Sequence, residues 1–408
     1  MYEAIIAPIM NVREHPNADK LKLATVCGFQ VVVDKSQQEG TIGVFFPCDG
    51  KLTHPMLMAN NLYHKHPETL EPMGGFFGVN GRVRAQRFRQ EKSEGIWLPL
   101  ESLAWTGADL TKLKKGYTFT SINNHLICKK YVSVSTQRKM NSNQKQKTSK
   151  FPTFKRHYET PKLRYKLNEI SVGDIVSITE KAHGTSGRTA RVIKAIKPRF
   201  WHKLFPPRRT YKYVSGSRNL LLKFDEGTHC LTSRQKIHEH FKDMGIHKGE
   251  TFYYEIVGYD NGIPIMGEQP IEDQKLRKKY GDTMIYSYGC DEAHQFDFYV
   301  YRITMVNEDG DVVEYSDSQL KKRCKDLGIK VVPELMKPFV CEDVDGLMDT
   351  CESLTLGSSV LDDTHIKEGV VLKNHTTDKV YKYKSYHFCE LEGIQKNNDE
   401  YVDVEEIS

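Results

Sequence analysis

The stretch Asp174-Ile-Val-Ser-Ile-Thr-Glu-Lys-Ala-His-Gly-Thr185 joins a strand-like run to a short turn. Apolar residues recur within 174–179 in the manner of a buried strand, and Lys181 follows this run almost directly. A strand fixes the backbone, Gly184 lets the chain pass close to a ligand, and a lysine amine can act as a nucleophile. Free lysine titrates near ~10.4, so attack on a phosphate requires neighbours that lower its pKa.

The composition is that of a globular chain with two or three domains, since it has 408 residues and 38% apolar side chains. No apolar run approaches ~20 residues, and the start lacks a signal-peptide pattern, so we expect neither membrane insertion nor secretion. The nine cysteines form no Cys-x-x-Cys pair. They predict reduced thiols and a cytoplasmic location.

Residues 1–125 have the pattern of a β-rich domain. Short apolar runs such as Phe29-Gln-Val-Val-Val-Asp34 are separated by Gly, Pro, Asp and Asn. Their spacing predicts a small barrel of about five strands. A later strand carries Arg82, Arg84 and Arg87, which are compatible with either a solvated strand face or a phosphate-contacting surface.

Residues 126–160 are predicted to be a basic linker, because the composition becomes strongly positive and polar there. Such a segment is either a solvated spacer or a surface that favours a polyanion lying across two domains. A second basic stretch, 197–213, contains Phe200, Trp201 and Phe205. These aromatics suit either base stacking or hydrophobic anchoring of a long loop.

Residues 161–408 alternate strand and helix patterns. Helices are expected at 316–327, with Asp or Ser at the start and Gly328 at the end, and at 344–354. The predicted strands cover 174–179, 251–258, 296–304, 369–372 and 380–384.

Several of these strands carry residues that a simple core does not need. Glu255 lies among aromatic neighbours, and Glu368 directly precedes the apolar run Gly369-Val-Val-Leu372. Lys382 and Lys384 are two apart and therefore share a strand face. Tyr299 and Tyr301 are expected on the face opposite Phe298 and Val300. Each motif alone is weak, but their order is specific.

In that order, the motifs resemble those of the covalent nucleotidyltransferase superfamily of ligases and capping enzymes. Lys181-Ala-His-Gly-Thr185 resembles the RNA ligase branch, where other branches have Lys-x-Asp-Gly. His15-Pro-Asn-Ala-Asp-Lys-Leu21 is similar to the opening of tRNA-binding OB domains, and Arg82–Leu100 resembles the fifth RNA ligase family. The resemblance implies an α+β chain: an N-terminal OB-fold β-barrel (1–125) that binds RNA, followed by an ATP-grasp-like nucleotidyltransferase domain (161–408) of antiparallel sheets flanked by helices.

The resemblance also implies roles for particular residues. Lys181 would form lysyl-AMP, while Lys382 and Lys384 would bind ATP phosphates and disfavour a protonated Lys181. Glu255 and Glu368 would hold Mg²⁺ or Mn²⁺, directly or through water. The residues implied to bind the nucleotide are Glu180, Lys181, His183, Gly184, Arg218, Glu255, Tyr301, Glu368, Lys382 and Lys384.

The resemblance implies a more specific role for some of these residues. Tyr301 would stack on adenine, Arg218 would contact the ribose or the RNA end, and Glu255 would bind ribose hydroxyls or metal waters. Arg302 replaces an acid found in some relatives. His183 also replaces an acid, and it either contacts the pyrophosphate or metal waters, or shapes the loop.

The resemblance therefore implies an ATP-dependent RNA ligase that seals nicks with an RNA 3′-hydroxyl strand. The expected partners are nicked duplex RNA, RNA ends or an RNA–DNA hybrid, and the expected state is a monomer. Because the sequence after Lys384 is short, we do not expect the C-terminal OB domain of DNA ligases and capping enzymes. The alternatives are a DNA ligase, a capping-type nucleotidyltransferase, or a non-catalytic tRNA- or RNA-binding protein.

Overall fold

The computed structural model describes residues 2–48, 50–89, 91–131, 151–158, 160–194, 210–225, 228–271 and 273–391. It is a mixed α and β structure whose named strands pair in an antiparallel manner. Most of the predicted basic linker (132–150) and most of the basic aromatic stretch (195–209) lie outside the described residues.

The first part of the described chain is built mainly of short strands. They form sheets in the orders β10-β5-β1-β11, β2-β3-β4 and β14-β6-β7, with the additional pairs β8-β9 and β12-β13. The strands are β1 (Ala4–Pro8), β2 (Met10–Glu14), β3 (Leu21–Val26), β4 (Phe29–Asp34), β5 (Ile42–Phe46), β6 (Gly50–Leu52), β7 (Arg82–Val83), β8 (Ala85–Phe88), β9 (Glu91–Glu94), β10 (Ile96–Pro99), β11 (Thr118–Phe119), β12 (Ser121–Ile122), β13 (His125–Leu126) and β14 (Cys128–Lys130).

This β-rich architecture agrees with the strand pattern, but the pairing of the described strands does not close into one barrel. The His15 ring, in the motif that resembles tRNA-binding OB domains, is buried, and its Nε2 lies 3.0 Å from the Phe88 carbonyl oxygen. Arg82 is not on a solvated face, because it is buried and its guanidinium lies over the Tyr131 ring.

The second part of the chain contains two larger sheets, in the orders β24-β15-β25-β26 and β17-β16-β18-β22-β23, with β19 paired to β18. Its strands are β15 (Ile175–Lys181), β16 (Thr185–Ile193), β17 (Tyr211–Gly216), β18 (Glu250–Asp260), β19 (Ile263–Pro264), β20 (Glu268–Pro270), β21 (Thr283–Ile285), β22 (Phe296–Val306), β23 (Val312–Glu314), β24 (Glu334–Val340), β25 (Gly369–Asn374) and β26 (Lys379–Lys384). We call these the lysine sheet and the aromatic sheet, respectively.

The helices are mostly in this second part. They are α1 (His54–Ala59), α2 (Leu231–Met244), α3 (Gln274–Tyr280), α4 (Asp317–Asp326), α5 (Val344–Leu354) and α6 (Tyr386–Leu391), and 3₁₀ helices cover Leu100–Thr106, Leu110–Lys112, Leu163–Tyr165 and Leu167–Glu169. The prediction for α4 is confirmed, since Ser316 and Gln319 form a capping box and Gly328 follows the helix with φ 66°. The prediction for α5 is also confirmed.

Each large sheet has one face in a hydrophobic core. Behind the lysine sheet, Val176 and Ile178 pack with residues of β25, β26 and α5. Behind the aromatic sheet, Tyr254, Ile256 and Val300 pack with residues of α2 and α4. Because side chains alternate along a strand, the other face of each sheet carries most of the candidate functional residues, among them Lys181, Lys384 and Glu255.

Residues 151–158, at the end of the predicted linker, pack against the aromatic sheet. Phe154 is buried with Ala190, Val192 and Val214. Nearby, the Lys155 carbonyl oxygen accepts hydrogen bonds from Arg188 Nη1 (2.5 Å) and the Tyr253 hydroxyl (3.2 Å). We call residues 151–158 the crossing segment.

The two parts of the chain also contact each other behind the lysine sheet. The guanidinium of Arg164 lies 4.5 Å from the ring centre of Phe29 in β4 and 4.7 Å from that of Tyr383 in β26. The Lys92 ammonium lies over the Tyr386 ring of α6. Among the described residues, no helix is long and apolar enough to cross a membrane. All nine cysteines are free thiols.

Candidate active site

Lys181 is the last residue of β15, and its amine is bound to a buried carboxylate. Lys181 Nζ lies 2.8 Å from Glu368 Oε2, and Lys384 Nζ lies 3.0 Å from Glu368 Oε1. The Glu368 side chain has no exposed surface, while 15% of the Lys181 side chain and 11% of the Lys384 side chain are exposed. Glu368 therefore connects the two strands that carry the predicted lysines.

The sheet register brings the three lysines to one face. Lys181 lies opposite Gly369, and Gly369 lies opposite Lys384 on the next strand. The Lys382 side chain lies on the same face as that of Lys384, because the two residues are two apart on one strand. The backbone N–H of Lys382 donates to the Pro161 carbonyl oxygen at 2.9 Å. The predicted common face of Lys382 and Lys384 is confirmed.

Glu180 lies on the opposite face of the lysine sheet. Its Oε1 accepts a hydrogen bond from Ser359 Oγ (2.5 Å), and its Oε2 accepts one from the Val360 N–H (2.9 Å). Burial raises the pKa of Glu180 despite these bonds. The period of two along β15 thus separates the Glu180 side chain from the Lys181 amine.

The turn after Lys181 is held tightly against β18. A Cβ atom on Gly184 would lie 2.1 Å from the Ile256 carbonyl oxygen, so the close approach requires glycine here. Ala182, between Lys181 and His183, is buried in a cluster with Val257 and Tyr288.

His183 lies in a buried aromatic environment. The His183 ring packs edge to face with the rings of Tyr286 and Phe388, with a centroid distance of 4.7 Å in each case. Its Nδ1 lies 3.5 Å from Glu368 Oε2, the oxygen that also contacts Lys181. Its backbone N–H donates to the Tyr288 hydroxyl at 2.6 Å. The structure thus brings His183, Lys181 and Lys384 together around Glu368.

The aromatic sheet contributes Glu255 and Tyr301. Glu255 of β18 is half-buried and lies opposite Ser186 of β16 on one side and Tyr299 of β22 on the other. The Tyr301 hydroxyl is 3.3 Å from Ser186 Oγ. Burial raises the pKa of Tyr301, so its phenol is neutral near pH 7.

A bulge in β22 places Tyr301 and Arg302 on the same face. Tyr253 pairs with Arg302, whereas Tyr254 pairs with Val300, so Tyr301 is the extra residue. Arg302 binds Glu314 through two hydrogen bonds of 2.6 and 2.8 Å, and its guanidinium lies over the rings of Tyr158 and Tyr253. Arg302 is therefore held by a carboxylate and two aromatic rings at the edge of the site.

The crossing segment covers part of this face through His157. The ring centre of His157 lies 5.2 Å from that of Tyr301 and 5.6 Å from that of Tyr253. Burial, with the positive charges of Arg302 and Arg218 next in importance, lowers the pKa of His157 to about 3. The positive charge of Arg218 acts on both His157 and Tyr301.

Sequence reasoning missed three residues of this region. Arg234 of α2 is buried, and its guanidinium donates to Thr185 Oγ1 (2.8 Å) and to the Ser186 carbonyl oxygen (3.1 Å), directly after the Lys181 turn. Tyr288 and His157 are the others. No local motif marks them, because each reaches the site from a remote segment.

The carboxylates of the site do not by themselves form a metal cage. Among the described residues, no group of three or more His, Cys, Asp or Glu side chains is arranged to hold a metal ion. Mg²⁺ and Mn²⁺ prefer oxygen ligands, and Mg²⁺ in particular keeps several waters and binds substrate phosphates with one or two carboxylates. Glu255 and Glu368 carry oxygen donors of this kind, and in this structure both oxygens of Glu368 face lysine amines.

Comparisons with known proteins identify the family of the chain and relate its fold to solved structures. Residues 174–384, just over half of the chain, match the family model described as RNA ligase. A lysine-to-methionine mutant of the Naegleria gruberi RNA ligase with AMP and Mn aligns with a TM-score of 0.58 at 17% identity, covering 95% of this chain and 98% of that one. The Naegleria gruberi RNA ligase with PPi aligns with a TM-score of 0.55 at 18% identity, covering 95% and 97%.

These structural likenesses establish a common fold, and the family match covers every predicted motif from Lys181 to Lys384. A search of curated proteins found no match. The resemblance to covalent nucleotidyltransferases is confirmed, and the chain belongs to the RNA ligase family.

Proposed function

We propose that this enzyme is an ATP-dependent RNA ligase that works through lysyl-AMP on Lys181. The observation that carries the proposal is the position of the Lys181 amine, bound with Lys384 to the buried carboxylate of Glu368. Lys382 lies on the same face, where the three positive charges suit a triphosphate. The Naegleria gruberi RNA ligase structures with ATP and with AMP support the choice of nucleotide.

The reaction begins with ATP as the substrate. Lys181 Nζ first gives a proton to water and then attacks the α-phosphorus. A phosphoramidate bond forms as the bond between the α-phosphorus and the pyrophosphate oxygen breaks, and pyrophosphate leaves. The Glu368 carboxylate favours the protonated Lys181 amine, whereas the like charges of Lys382 and Lys384 oppose that proton and stabilise the leaving pyrophosphate. An RNA 5′-phosphate then takes the AMP, and a 3′-hydroxyl displaces it to form the phosphodiester bond.

Glu255 and Glu368 are the residues that would hold a divalent cation, Mg²⁺ or Mn²⁺, together with phosphate oxygens and water. When bound, the cation would neutralise charge on the phosphates. Tyr301 would stack on the adenine, and Arg218 would contact the ribose or the RNA end. Gly184 and the backbone of Glu180 would border the nucleotide.

Residues 1–125 would form an OB-type module that binds RNA, residues 126–160 a basic connection, and residues 161–408 the adenylyltransferase domain. The β-rich architecture and the basic composition of residues 129–150 support this division. We propose that the enzyme acts as a monomer in the cytoplasm, with nicked duplexes that have an RNA 3′-hydroxyl strand as its preferred substrate.

Labelling with ATP that carries a radioactive α-phosphate tests the nucleophile. We expect the wild-type chain to become labelled and Lys181→Ala to remain unlabelled, since alanine has no amine that could attack the α-phosphorus. Lys242→Ala is the matched control, because Lys242 forms only an exposed pair with Glu239. Normal labelling of Lys181→Ala would refute the assignment.

Two further experiments distinguish an RNA ligase from a capping-type enzyme and from a DNA ligase. Labelling with GTP instead of ATP would indicate a capping-type enzyme, and a DNA 3′-hydroxyl strand sealed as fast as an RNA strand would indicate a DNA ligase. A wild-type chain that binds RNA yet accepts no AMP would indicate a non-catalytic RNA-binding protein. We expect ATP to be used and the RNA 3′-hydroxyl strand to be preferred.

A further inference from the structure

Tyr288 has a backbone conformation that is uncommon for an aromatic residue. Its φ is 52°, in the left-handed region, although it is not a glycine and its side chain is buried. Such a conformation is unfavourable for a residue with a side chain and persists only when the surrounding structure imposes it. Strained residues of this kind are concentrated at functional sites.

A clamp from a remote loop holds this conformation. Asp362 Oδ2 accepts hydrogen bonds from Ser287 Oγ (2.5 Å) and from the Gly289 N–H (2.8 Å), the residues on either side of Tyr288. The Tyr288 N–H donates to His365 Nε2 at 3.4 Å, and the two rings pack edge to face at 4.4 Å. The loop that contains Asp362 and His365 ends at Glu368.

The Asp362 carboxylate keeps its charge in this position. Burial alone would raise its pKa, but hydrogen bonds from Ser287, Thr364 and Gly289 lower the pKa to about 2. The two hydrogen bonds that Asp362 accepts from Ser287 and Gly289 are therefore retained near neutral pH.

The conformation places the Tyr288 hydroxyl beside the turn that carries the nucleophile. This hydroxyl accepts the N–H of His183 at 2.6 Å, two residues after Lys181. Burial raises the pKa of Tyr288 well above its usual value, so the group remains a neutral phenol. Without this hydroxyl, the buried N–H of His183 would lose this hydrogen bond, which is unfavourable, or the turn would move.

We propose that Tyr288 is a positioning residue for the first chemical step. The proposal rests on the proposed role of Lys181 as the nucleophile. Tyr288 fixes the turn from Lys181 to Gly184 and thereby aligns the Lys181 amine with the α-phosphorus of ATP. It does so by tying this turn to the loop that carries Glu368. The backbone N–H of His183 helps to hold the turn in addition to its ring. This contact favours the expectation that His183 shapes the loop over the expectation that it contacts the pyrophosphate or metal waters.

Tyr288→Phe tests the inference, because it removes the hydroxyl and keeps the ring. We expect the single-turnover rate constant for lysyl-AMP formation to fall by roughly 10- to 100-fold, the cost of a small misplacement of reacting groups. The ATP concentration for half-maximal rate should change by less than about threefold, because the phosphate-binding side chains are retained. Tyr315→Phe, which removes a hydroxyl bound to the remote Glu250, should keep the wild-type rate constant.

A purely structural role would give a different result. It would lower the melting temperature or the fraction of active enzyme and leave the rate constant of the remaining enzyme unchanged, and that outcome would overturn the proposal. If Tyr288→Phe does not fold, Ser287→Ala removes one clamp bond and should lower the same rate constant several-fold; an unchanged rate would likewise overturn it. Failure of the wild-type chain to accept AMP would instead refute the role of Lys181, so the two failures are distinguishable.

Discussion

Glu368 connects Lys181 and Lys384, which are 203 residues apart in the chain. Its carboxylate is fully buried, and a buried charge is costly unless both oxygens are paired. One oxygen faces Lys181 and the other faces Lys384, so the two amines are held apart at defined positions. The His157 ring packs against Tyr301 and lies near the positive charges of Arg302 and Arg218.

The uncharged state of His157 makes the stability of the fold depend on pH. Its pKa is about 3 in the folded chain and near 6.5 when unfolded, so the unfolded chain binds more protons between these values. The free energy of unfolding should therefore fall as the pH is lowered from 7 to 5, by up to about 2 kcal/mol from this residue. Urea denaturation of wild type and His157→Phe at both pH values measures it.

We expect His157→Phe to show a smaller difference between pH 7 and pH 5 than wild type does. His64→Phe, at an exposed position in the N-terminal part, is the matched control and should keep the wild-type difference. An unchanged pH dependence in His157→Phe would contradict the attribution.

At the scale of elements, the site depends on how β15, β16 and β18 meet. The turn between β15 and β16 packs against β18 at Gly184, while the bulge in β22 turns Tyr301 and Arg302 to one face. β15 belongs to the lysine sheet and β18 to the aromatic sheet. This turn therefore determines the position of Lys181 relative to Glu255.

Gly184→Ala should disturb this junction. The added Cβ would meet the Ile256 carbonyl oxygen at 2.1 Å, a backbone atom that cannot move without shifting β18. We expect the free energy of unfolding to fall by about 1–3 kcal/mol, as for other overpacked sites, and ATP labelling to slow by at least about tenfold. Thermal melts and labelling time courses measure the two effects.

Gly78→Ala is the control for this substitution. A Cβ at Gly78 would meet only Asn80 Oδ1, at an ordinary distance of 3.7 Å, so stability and labelling should remain close to wild type. Equal effects of the two substitutions would show that close packing at Gly184 is not the cause.

At the scale of the whole molecule, Arg164 links the N-terminal part to the lysine sheet. Its guanidinium lies between the rings of Phe29 and Tyr383, donates a hydrogen bond to the Tyr383 hydroxyl, and is 3.7 Å from Glu352 Oε2. Tyr383 occupies the position between Lys382 and Lys384 on β26 and points to the opposite face. The N-terminal part thus rests on the back of the strand that carries two candidate lysines.

Arg164→Ala should weaken this contact. Each cation–π contact contributes about 0.5–2 kcal/mol, so the loss should loosen the attachment of the N-terminal part without removing any residue of the site. We expect sealing of a nicked RNA duplex to fall by about tenfold, while ATP labelling changes by less than about threefold. Parallel assays of sealing and labelling measure the ratio, with Lys242→Ala as the control; equal losses in both assays would contradict the linking role.

The sequence by itself determined the order of the motifs, the common face of Lys382 and Lys384, and the capped helix α4, because strand alternation and helix caps are local properties. Tertiary structure alone decided that Glu368 joins Lys181 to Lys384, and that Tyr288 reaches the Lys181 turn. These contacts join segments that are distant in the chain, and they depend on sheet register and on packing between loops. No spacing within one segment encodes them, which is why Tyr288, His157 and Arg234 could not be predicted.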